Sequence, residues 1–404
     1  MIPLSEIIKA KKKINGIVNK TPFAFAPLLA ERVGAKVYLK KENLQITGAY
    51  KIRGAYNKIA SLSKDEKQRG VIAASAGNHA QGVAYSAALF KVPATIIMPE
   101  ATPLLKVVGT KALGAKVILK GSNYDEAYEF ATTYAQENSM TFIHPFKDRK
   151  IMAGQGTVAL EMYDERDDLD MILVPIGGGG LISGVASAIK QLDPRIKIIG
   201  VTSKGAPAMY ESFKEKKPLS TSDVRTIADG IAVRDANKEN LEIILECVDD
   251  IVQVDDEEIA NAVLFLLERQ KIVVEGAGAV GVAALMHNKI GELKPSDKIG
   301  VILSGGNIDV GMLSVIIEKG QIKAHRKMKL LITLIDKPGA LRGLTDIFEE
   351  LSANIIQIDY DRTSTTLSYG DANVTIALET KGKEHQESIR EELKKRGYRF
   401  HEEF

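Results

Sequence analysis

A lysine set among small residues is the first candidate for chemistry. Lys51 follows Gly48 and Ala49 within the stretch 47–55, so little side-chain bulk surrounds its amine. Such a lysine has room to lie against a flat ligand, and its neutral form attacks carbonyl carbon atoms. The positive charge of Arg53, two residues later, would favour the neutral form by repulsion. A solvated surface lysine is the alternative, because most lysines are exposed.

Four consecutive glycines, Gly177–Gly180, come directly after the apolar run 171–174. Each glycine loses conformational freedom when it is ordered, so a simple turn would seldom contain four. Backbone N–H groups without side chains in the way bind anions at the positive end of a helix, and a helix is predicted from near Leu181. The run therefore predicts a phosphate site, with a flexible hinge as the alternative. No lysine follows at the spacing of a nucleotide P-loop, which disfavours ATP or GTP.

A second glycine pattern, Gly276–Gly281, matches the dinucleotide fingerprint G-x-G-x-x-G. In that fingerprint an acidic residue ends a second strand about 20 residues later. Here the region after Gly281 holds a helix and a polar segment, and the next predicted strand begins only at Ile299. We therefore interpret these glycines as a point of close helix packing, and a NAD-dependent dehydrogenase is a distant alternative.

Two further segments lie at the predicted ends of strands, where open parallel sheets bind ligands. Residues 75–79, Ser-Ala-Gly-Asn-His, follow the apolar run 71–74, and Ser304 follows the run 299–303. A single serine at a strand end is usually a cap or turn residue, so Ser304 carries weight only together with the other segments. The six histidines show no spacing suited to a metal, and no Ser-His-Asp set stands out. The sequence predicts no metal site.

Composition excludes several classes of function. With 45% hydrophobic and 26% charged residues, the 404-residue chain is typical of a soluble globular protein with two or three units. A net charge of +2 and scattered lysines do not predict a nucleic-acid partner. No apolar run approaches the roughly 20 residues that span a bilayer, and no signal peptide is evident, so no membrane partner is expected. The only cysteine, Cys247, forms no intrachain disulfide, and we expect a cytoplasmic protein.

Apolar strand candidates alternate with helical segments from residue 37 to residue 303. This order predicts an α/β fold with parallel or mixed sheets covered by helices on both faces. The character changes at 319–329, where basic residues separate two apolar segments. The remainder reads as strand, helix, strand, strand, helix and a final short strand, which predicts a small ferredoxin-like sandwich.

Together these motifs resemble those of the threonine dehydratases, which are fold-type-II pyridoxal phosphate enzymes. The C-terminal part resembles a single ACT regulatory domain. The resemblance covers nearly the whole chain and keeps the order of the motifs. The segments that carry it are 42–45 (Glu-Asn-Leu-Gln), 47–55 (Thr-Gly-Ala-Tyr-Lys-Ile-Arg-Gly-Ala), 75–82 (Ser-Ala-Gly-Asn-His-Ala-Gln-Gly), 177–180, 304–307 (Ser-Gly-Gly-Asn) and 336–341 (Asp-Lys-Pro-Gly-Ala-Leu).

The resemblance implies a domain organisation. A two-domain catalytic region would cover residues 1–325, with a small subdomain of roughly 46–148 inserted in the large one. A ferredoxin-like ACT domain would cover 326–404. ACT domains commonly pair, so a homo-oligomer, a dimer or a tetramer, and an amino-acid effector are implied as well.

The resemblance also implies a role for each motif. Lys51 would bind the cofactor, pyridoxal 5′-phosphate, covalently and move the α proton of the substrate. Asn78 would hydrogen-bond the 3-hydroxyl of the cofactor ring, Ser304 would face the pyridine nitrogen, and Tyr50 stands where the family commonly has phenylalanine. The backbone N–H groups that would hold the phosphate belong to Gly177, Gly178, Gly179, Gly180 and Leu181. Those that would bind the substrate carboxylate belong to the turn of Ser75, Ala76, Gly77, Asn78 and His79.

The implied reaction is the deamination of L-threonine, with some activity on L-serine, to a 2-oxo acid and ammonia. A neutral serine at the pyridine nitrogen makes a weaker electron sink than an aspartate, which favours β-elimination over transamination. Racemisation or β-replacement is an alternative. The serine racemases of this family have a serine directly before the glycine of the 75–79 turn, whereas Ala76 stands there and moves no proton. An inactive amino-acid sensor is a further alternative.

Overall fold

Helices and strands alternate through most of residues 1–309, and the apolar pattern predicts this order from residue 37 to residue 303. The computed structural model describes residues 1–365 and 367–402. The helices of residues 1–309 are α1 (Leu4–Ile14), α2 (Pro27–Val33), α3 (Lys51–Ala60), α4 (Lys64–Arg69), α5 (Asn78–Leu89), α6 (Leu104–Ala112), α7 (Tyr124–Glu137), α8 (Arg149–Glu165), α9 (Gly180–Leu192), α10 (Ala208–Glu215), α11 (Lys238–Cys247), α12 (Asp256–Gln270) and α13 (Gly276–Met286). The strands are β1 (Phe23–Phe25), β2 (Lys36–Lys40), β3 (Val71–Ala74), β4 (Ala94–Met98), β5 (Lys116–Leu119), β6 (Thr141–Phe142), β7 (Met171–Pro175), β8 (Lys197–Ser203), β9 (Asp250–Val254) and β10 (Lys298–Ile302).

The larger sheet has the strand order β1-β2-β10-β7-β8-β9. Strand β1 runs antiparallel to β2, and the other neighbours are parallel. Its central strands are apolar on both faces, and Ile172, Leu173 and Val174 of β7 are fully buried. Parallel strands of this kind need helices on both sides. The predicted α/β class with parallel and mixed sheets is confirmed.

The smaller sheet is entirely parallel, with the order β5-β4-β3-β6. All of its strands come from residues 71–142, so in the chain they lie between β2 and β7 of the larger sheet. Each sheet therefore has its own set of carboxyl strand ends, where ligands bind in open parallel sheets. The limits of the inserted subdomain, 46–148, stay a prediction.

Glycines bring helices α3, α8 and α9 into close contact. A Cβ atom at Gly154 of α8 would lie 2.6 Å from the carbonyl oxygen of Arg53 in α3. A Cβ atom at Gly184 of α9 would lie 2.2 Å from the carbonyl oxygen of Met152 in α8. Real Cβ atoms do not approach so closely, so only glycine fits at these contacts. Helix α3, which begins at Lys51, is thereby fixed through α8 to the helix that follows the glycine run.

The fingerprint Gly276–Gly281 lies inside a helix. Residues 271–275 before it form no strand, and α13 begins at Gly276 itself. A Cβ atom at Gly278 would lie 2.7 Å from the carbonyl oxygen of Gly305, and one at Gly281 would lie 2.7 Å from Cγ1 of Val301. These glycines let α13 pack closely against β10 and the loop after it. The dinucleotide-binding site of a dehydrogenase needs a strand directly before the fingerprint, and residues 271–275 do not form one.

The second unit contains a four-stranded antiparallel sheet with two helices packed on one face, and a third helix precedes the sheet in the chain. Its order is β12-β13-β11-β14, and the apolar side chains Leu330, Ile332, Leu344, Phe348 and Ile376 form its core. The chain order strand, helix, strand, strand, helix, strand confirms the predicted ferredoxin-like sandwich. The elements of this unit are α14 (Val310–Lys323), β11 (Lys327–Ile335), α15 (Ala340–Glu350), β12 (Asn354–Asp361), β13 (Asp371–Glu379), α16 (Lys383–Lys395) and β14 (Arg399–Glu402).

The two compact units meet in the chain between Asp309 and Val310. The sequence puts the boundary at 325/326 instead, so the two divisions differ by a segment that contains α14. The functional boundary stays a prediction. Among the described residues, no helix is both long enough and apolar enough to cross a membrane.

Candidate active site

The amine of Lys51 is partly buried at the first residue of α3. Its Nζ atom donates a hydrogen bond to the carbonyl oxygen of Pro145 over 3.2 Å and lies 5.3 Å from the centre of the Tyr50 ring. Burial lowers the pKa of Lys51 to about 8, and the nearby charge of Glu275 partly opposes this shift. Roughly a tenth of such an amine is neutral at pH 7, which suits a nucleophile.

A buried network of four charges includes Arg53, which lies two residues after Lys51 in α3. Arg53 donates to both carboxylate oxygens of Glu42, from Nε and Nη2, over 2.8 Å each. It also donates to Glu161 over 2.7 and 2.9 Å, from Nη1 and Nη2. Lys40 completes the network with hydrogen bonds to Glu161 and to the carbonyl oxygen of Thr21. Two positive and two negative charges thus compensate each other where water is excluded.

This network corrects the expectation about Arg53. The sequence argument made Arg53 the cause of a neutral Lys51 by repulsion, and that argument is wrong. The carboxylates of Glu42 and Glu161 compensate the guanidinium charge of Arg53, and the low pKa of Lys51 comes from burial. Burial would raise the pKa of Glu42, but the charge and hydrogen bonds of Arg53 outweigh it and hold that pKa below its ordinary value.

The turn of residues 144–147 joins Lys51 to the glycine run. The Nδ1 atom of His144 accepts hydrogen bonds from the backbone N–H groups of Phe146 and Lys147 over 3.2 and 3.1 Å. Burial lowers the pKa of His144 to about 3, so its ring is neutral at neutral pH and Nδ1 is free to accept. The carbonyl oxygen of Pro145 faces Lys51, while the Phe146 ring packs on the glycines.

The glycine run ends at the first residue of α9, as predicted. Gly179 has a φ of 87°, a left-handed conformation that glycine adopts readily. A Cβ atom at Gly178 would lie 2.5 Å from three atoms of the Phe146 ring, and one at Gly177 would lie 2.8 Å from Cα of Ile231. The run is therefore bare backbone under neighbouring side chains. The first N–H groups of α9, including that of buried Leu181, lack helical partners and can bind an anion.

The turn 75–79 joins strand β3 to helix α5. The hydroxyl of Ser75 accepts a hydrogen bond from the N–H of Gly77 over 3.2 Å, and Ala76 is half-buried. His79 is turned away into the core, where its Nε2–H group donates to the carbonyl oxygen of Ile143 over 2.7 Å. Burial and the charge of Lys51 lower the pKa of His79 to about 3, so its ring stays neutral.

Ser304 lies beside the lysine segment at the end of β10. It is buried, and its carbonyl oxygen accepts a hydrogen bond from the N–H of Tyr50 over 3.1 Å. Ala49 and Gly305 form a β-bridge next to this contact. Burial, together with the charge of Glu275, raises the pKa of Tyr50 above its ordinary value, so its phenol stays neutral.

Two residues of the site escaped the sequence analysis. Glu275 accepts a hydrogen bond from Nδ2 of Asn78 over 2.7 Å, and Asn307 donates to Oδ1 of Asn78. Asn307 belongs to the segment 304–307, and Glu275 directly precedes Gly276. The sequence therefore draws attention to both positions but does not show their hydrogen-bond partners. The structure thus brings Lys51, Asn78 and Ser304 together with the glycine run through these contacts and the 144–147 turn.

Comparison with known proteins decides the family. A family model described as pyridoxal-phosphate dependent enzyme matches residues 14–305. The chain belongs to this family. An L-threonine ammonia-lyase of Thermotoga maritima is 46% identical over 98% of both chains. The solved structure of processed threonine deaminase isoform 2 from Solanum lycopersicum covers 79% of this chain and 87% of its own, with a TM-score of 0.76 and 35% identity. Maize serine racemase covers 80% and 98%, with a TM-score of 0.74 and 35% identity.

The residues of this pyridoxal-phosphate dependent enzyme fit its cofactor. A partly buried amine of low pKa suits the cofactor aldehyde. The glycine run, where no Cβ atom has room, presents backbone N–H groups at a helix start for a phosphate. Among the described residues no group of histidine, cysteine and acidic side chains could hold a metal ion.

Replacing Arg53 by methionine should destabilise the protein strongly. The change leaves Glu42 and Glu161 buried with only Lys40 for compensation, and losing one partner of a buried pair costs about 3–5 kcal/mol. The matched control is Lys204→Met, which breaks the exposed pair with Asp255 and should cost about 1 kcal/mol or less. Guanidinium unfolding measures both values, and equal losses would contradict the role given to the network.

The network also predicts how stability depends on pH. Because the pKa of Glu42 is lowered in the folded state, its contribution to stability is present at neutral pH and lost as the pH falls below about 4.5. The wild type should therefore lose stability on acidification more steeply than Arg53→Met.

The uptake of pyridoxal phosphate by cofactor-free protein should report the pKa of Lys51. Only the neutral amine reacts, so the uptake rate should rise about tenfold per pH unit below pH 8 and level off above it. The reaction of the cofactor with a free lysine derivative in the same buffers corrects for the titration of the cofactor itself. A corrected rate that still rises beyond about pH 9.5 would contradict the low pKa.

Proposed function

We propose that the protein is a threonine ammonia-lyase that deaminates L-threonine to 2-oxobutanoate and L-serine to pyruvate, with release of ammonia. The observation that carries the proposal is the 46% identity, over 98% of both chains, with the L-threonine ammonia-lyase of Thermotoga maritima. The partly buried amine at Lys51, with its low pKa, and the bare glycine run support this reaction.

We propose roles for the site residues as follows. When bound, the cofactor withdraws electrons from the α-carbon of the substrate. Lys51 holds the cofactor and moves the α proton at Nζ. The turn Ser75–His79 binds the substrate carboxylate through its N–H groups. The cofactor contacts are the backbone of Gly177, Gly178, Gly179, Gly180 and Leu181 for the phosphate, Asn78 for the 3-oxygen, Ser304 for the pyridine nitrogen and Tyr50 for the ring.

Elimination is favoured by the chemistry of Ser304. A neutral hydroxyl does not hold the pyridine nitrogen in its protonated form as a carboxylate would, so electron withdrawal is weaker. Under weak withdrawal, a β-hydroxyl that leaves quickly competes well against transamination. Loss of this hydroxyl from threonine or serine gives the proposed products after hydrolysis.

Serine or threonine racemisation is the second candidate, because maize serine racemase is a structural neighbour. A racemase needs a second proton carrier on the opposite face of the cofactor ring. Ala76 stands at the corresponding position and has no titratable group. The β-methyl of Ala76 therefore favours elimination.

The activity test measures keto acid and ammonia from L-threonine and L-serine with purified, cofactor-loaded protein. We expect both products, no D-amino acid in the recovered substrate, and a loss of more than about a thousandfold in Lys51→Ala. Lys64→Ala, an exposed lysine on the next helix, is the matched control and should keep full activity. D-enantiomer without keto acid would favour the racemase, and activity retained in Lys51→Ala would overturn the role of Lys51.

We further propose that the second unit is an ACT domain that binds an amino-acid effector and that the chain forms a homo-oligomer, a dimer or a tetramer. Support comes from its ferredoxin-like sheet with a separate apolar core and from the family model, which ends at residue 305. The turn Asp336–Gly339, which carries the resemblance to ACT domains, leads into α15 at its positive end. A cytoplasmic location is proposed from Cys247, a single buried thiol.

Truncation should separate regulation from catalysis. Removing residues from Lys327 onward should leave an active core whose rate no longer responds to added amino acids, because the proposed effector unit is gone. Initial rates with L-threonine, with and without each candidate amino acid, measure the response in both forms. An unchanged response in the truncated protein would locate the effector site in the remaining chain.

A further inference from the structure

Three side chains from distant parts of the chain form a short relay of hydrogen bonds at the start of α5. Nδ2 of Asn78 donates to Oε1 of Glu275 over 2.7 Å, and Oδ1 of Asn78 accepts from Nδ2 of Asn307. The same Nδ2 atom of Asn307 also donates to the carbonyl oxygen of Thr47 over 3.0 Å. Both ends of the Asn78 carboxamide are therefore occupied. We call these three residues the Asn78 relay.

The relay fixes which end of the Asn78 carboxamide faces which partner. The carbonyl oxygen of Thr47 only accepts hydrogen bonds, so Asn307 must turn Nδ2 toward Thr47 and toward Oδ1 of Asn78. Nδ2 of Asn78 then faces Glu275. The two N–H groups of Asn307 are both used, one on Thr47 and one on Asn78, so Asn307 cannot rotate without losing two bonds. Nδ2 of Asn78 has two hydrogens, and the relay uses one of them.

The surroundings of Glu275 are shaped for its carboxyl group. A Cβ atom at Gly305 would lie 2.4 Å from Oε1 of Glu275, and one at Gly230 would lie 3.3 Å from the same atom. Glu275 is buried, and burial raises the pKa of its carboxyl group, while the Asn78 hydrogen bond and the charge of Lys51 oppose this rise. Burying a carboxyl group costs free energy that an apolar residue would not cost. Its presence here therefore indicates a role that an apolar residue could not fill.

We propose that Glu275 and Asn307 are positioning residues that lock the Asn78 carboxamide, so that its remaining N–H group, and not its carbonyl oxygen, meets the 3-oxygen of the cofactor ring. This inference rests on the cofactor contact of Asn78 in the proposed function. An N–H donor stabilises the ring oxygen in its deprotonated form, whereas a carbonyl there would favour the protonated form. The relay thus sets where the proton of the bound cofactor resides.

The test reads the absorption spectrum of the cofactor-loaded protein. Two bands, one in the visible and one in the near ultraviolet, report the deprotonated and protonated ring oxygen. Glu275→Leu removes the acceptor for Nδ2 of Asn78 and leaves only Asn307 to orient the carboxamide, so the ratio of the visible to the ultraviolet band should fall about tenfold. Glu275→Gln keeps an acceptor of the same length and should hold the ratio within about twofold of the wild type.

Two further variants keep the test decisive. Asn307→Leu removes the opposite contact of the relay and should lower the ratio in the same direction, so it replaces Glu275→Leu if that protein does not fold. Asp255→Asn changes an acid to an amide at the start of α12, outside the relay, and should leave the spectrum unchanged. Circular dichroism and the cofactor dissociation constant accompany each spectrum.

The outcomes separate this inference from the proposed function. A folded, cofactor-loaded Glu275→Leu or Asn307→Leu protein with the wild-type band ratio would overturn the inference alone. A wild-type protein that gains no cofactor band when pyridoxal phosphate is supplied would overturn both. A lowered ratio in these variants, with Glu275→Gln and Asp255→Asn near the wild type, would support the relay.

Discussion

The buried network of Lys40, Glu42, Arg53 and Glu161 is the constraint on which the site depends. It ties β2 and the following 3-10 turn, Glu42–Leu44, to α8 and to α3, the helix that begins at Lys51. Buried ion pairs seldom add stability over apolar packing, but their fork-like geometry admits few arrangements. The network therefore defines the direction in which α3 leaves Lys51. Close contacts at glycines then fix α8 against α3 and α9 against α8, so the position of the glycine run before α9 follows from that of α3.

Exclusion of water sets the charges around the lysine. The same desolvation that lowers the pKa of Lys51 keeps His79 and His144 neutral and raises the pKa of Glu275. The neutral rings of His79 and His144 fill space and form hydrogen bonds. They carry no positive charge that would attract a phosphate or a carboxylate. Lys51 and Glu275 each shift the pKa of the other, in the direction that opposes burial.

The architecture was predictable from the sequence where one local pattern determines it. Strands that are apolar on both faces indicate buried parallel sheets, and the alternating residues of β13 indicate a half-buried antiparallel strand. The glycine run indicated a helix start, and α9 begins at Gly180, while the binding of an anion there stays a prediction. Helix α8 gave no such signal, because most of its surface is buried and it has no single apolar face.

The contacts that complete the site were not predictable, because they join segments far apart in the chain. Arg53 meets Glu161 across 108 positions, and Asn78 meets Glu275 across 197. Composition near Lys51 suggested repulsion by Arg53, and only the fold reveals its compensating partners. Spacing rules describe neighbours along a helix or strand, whereas an approach of this kind depends on how whole elements pack.

The aromatic ring of Phe146, which packs against Gly178, has a consequence for redesign of this enzyme. Any side chain at position 178 or 180 would collide with that ring or its main chain, so mutational libraries aimed at the glycines will yield mostly damaged proteins. A residue smaller than phenylalanine at position 146 would open space beside the glycine run and would leave the N–H groups of that run unchanged. Efforts to admit a bulkier substrate or a modified cofactor therefore have their natural starting point at the residue that covers the loop.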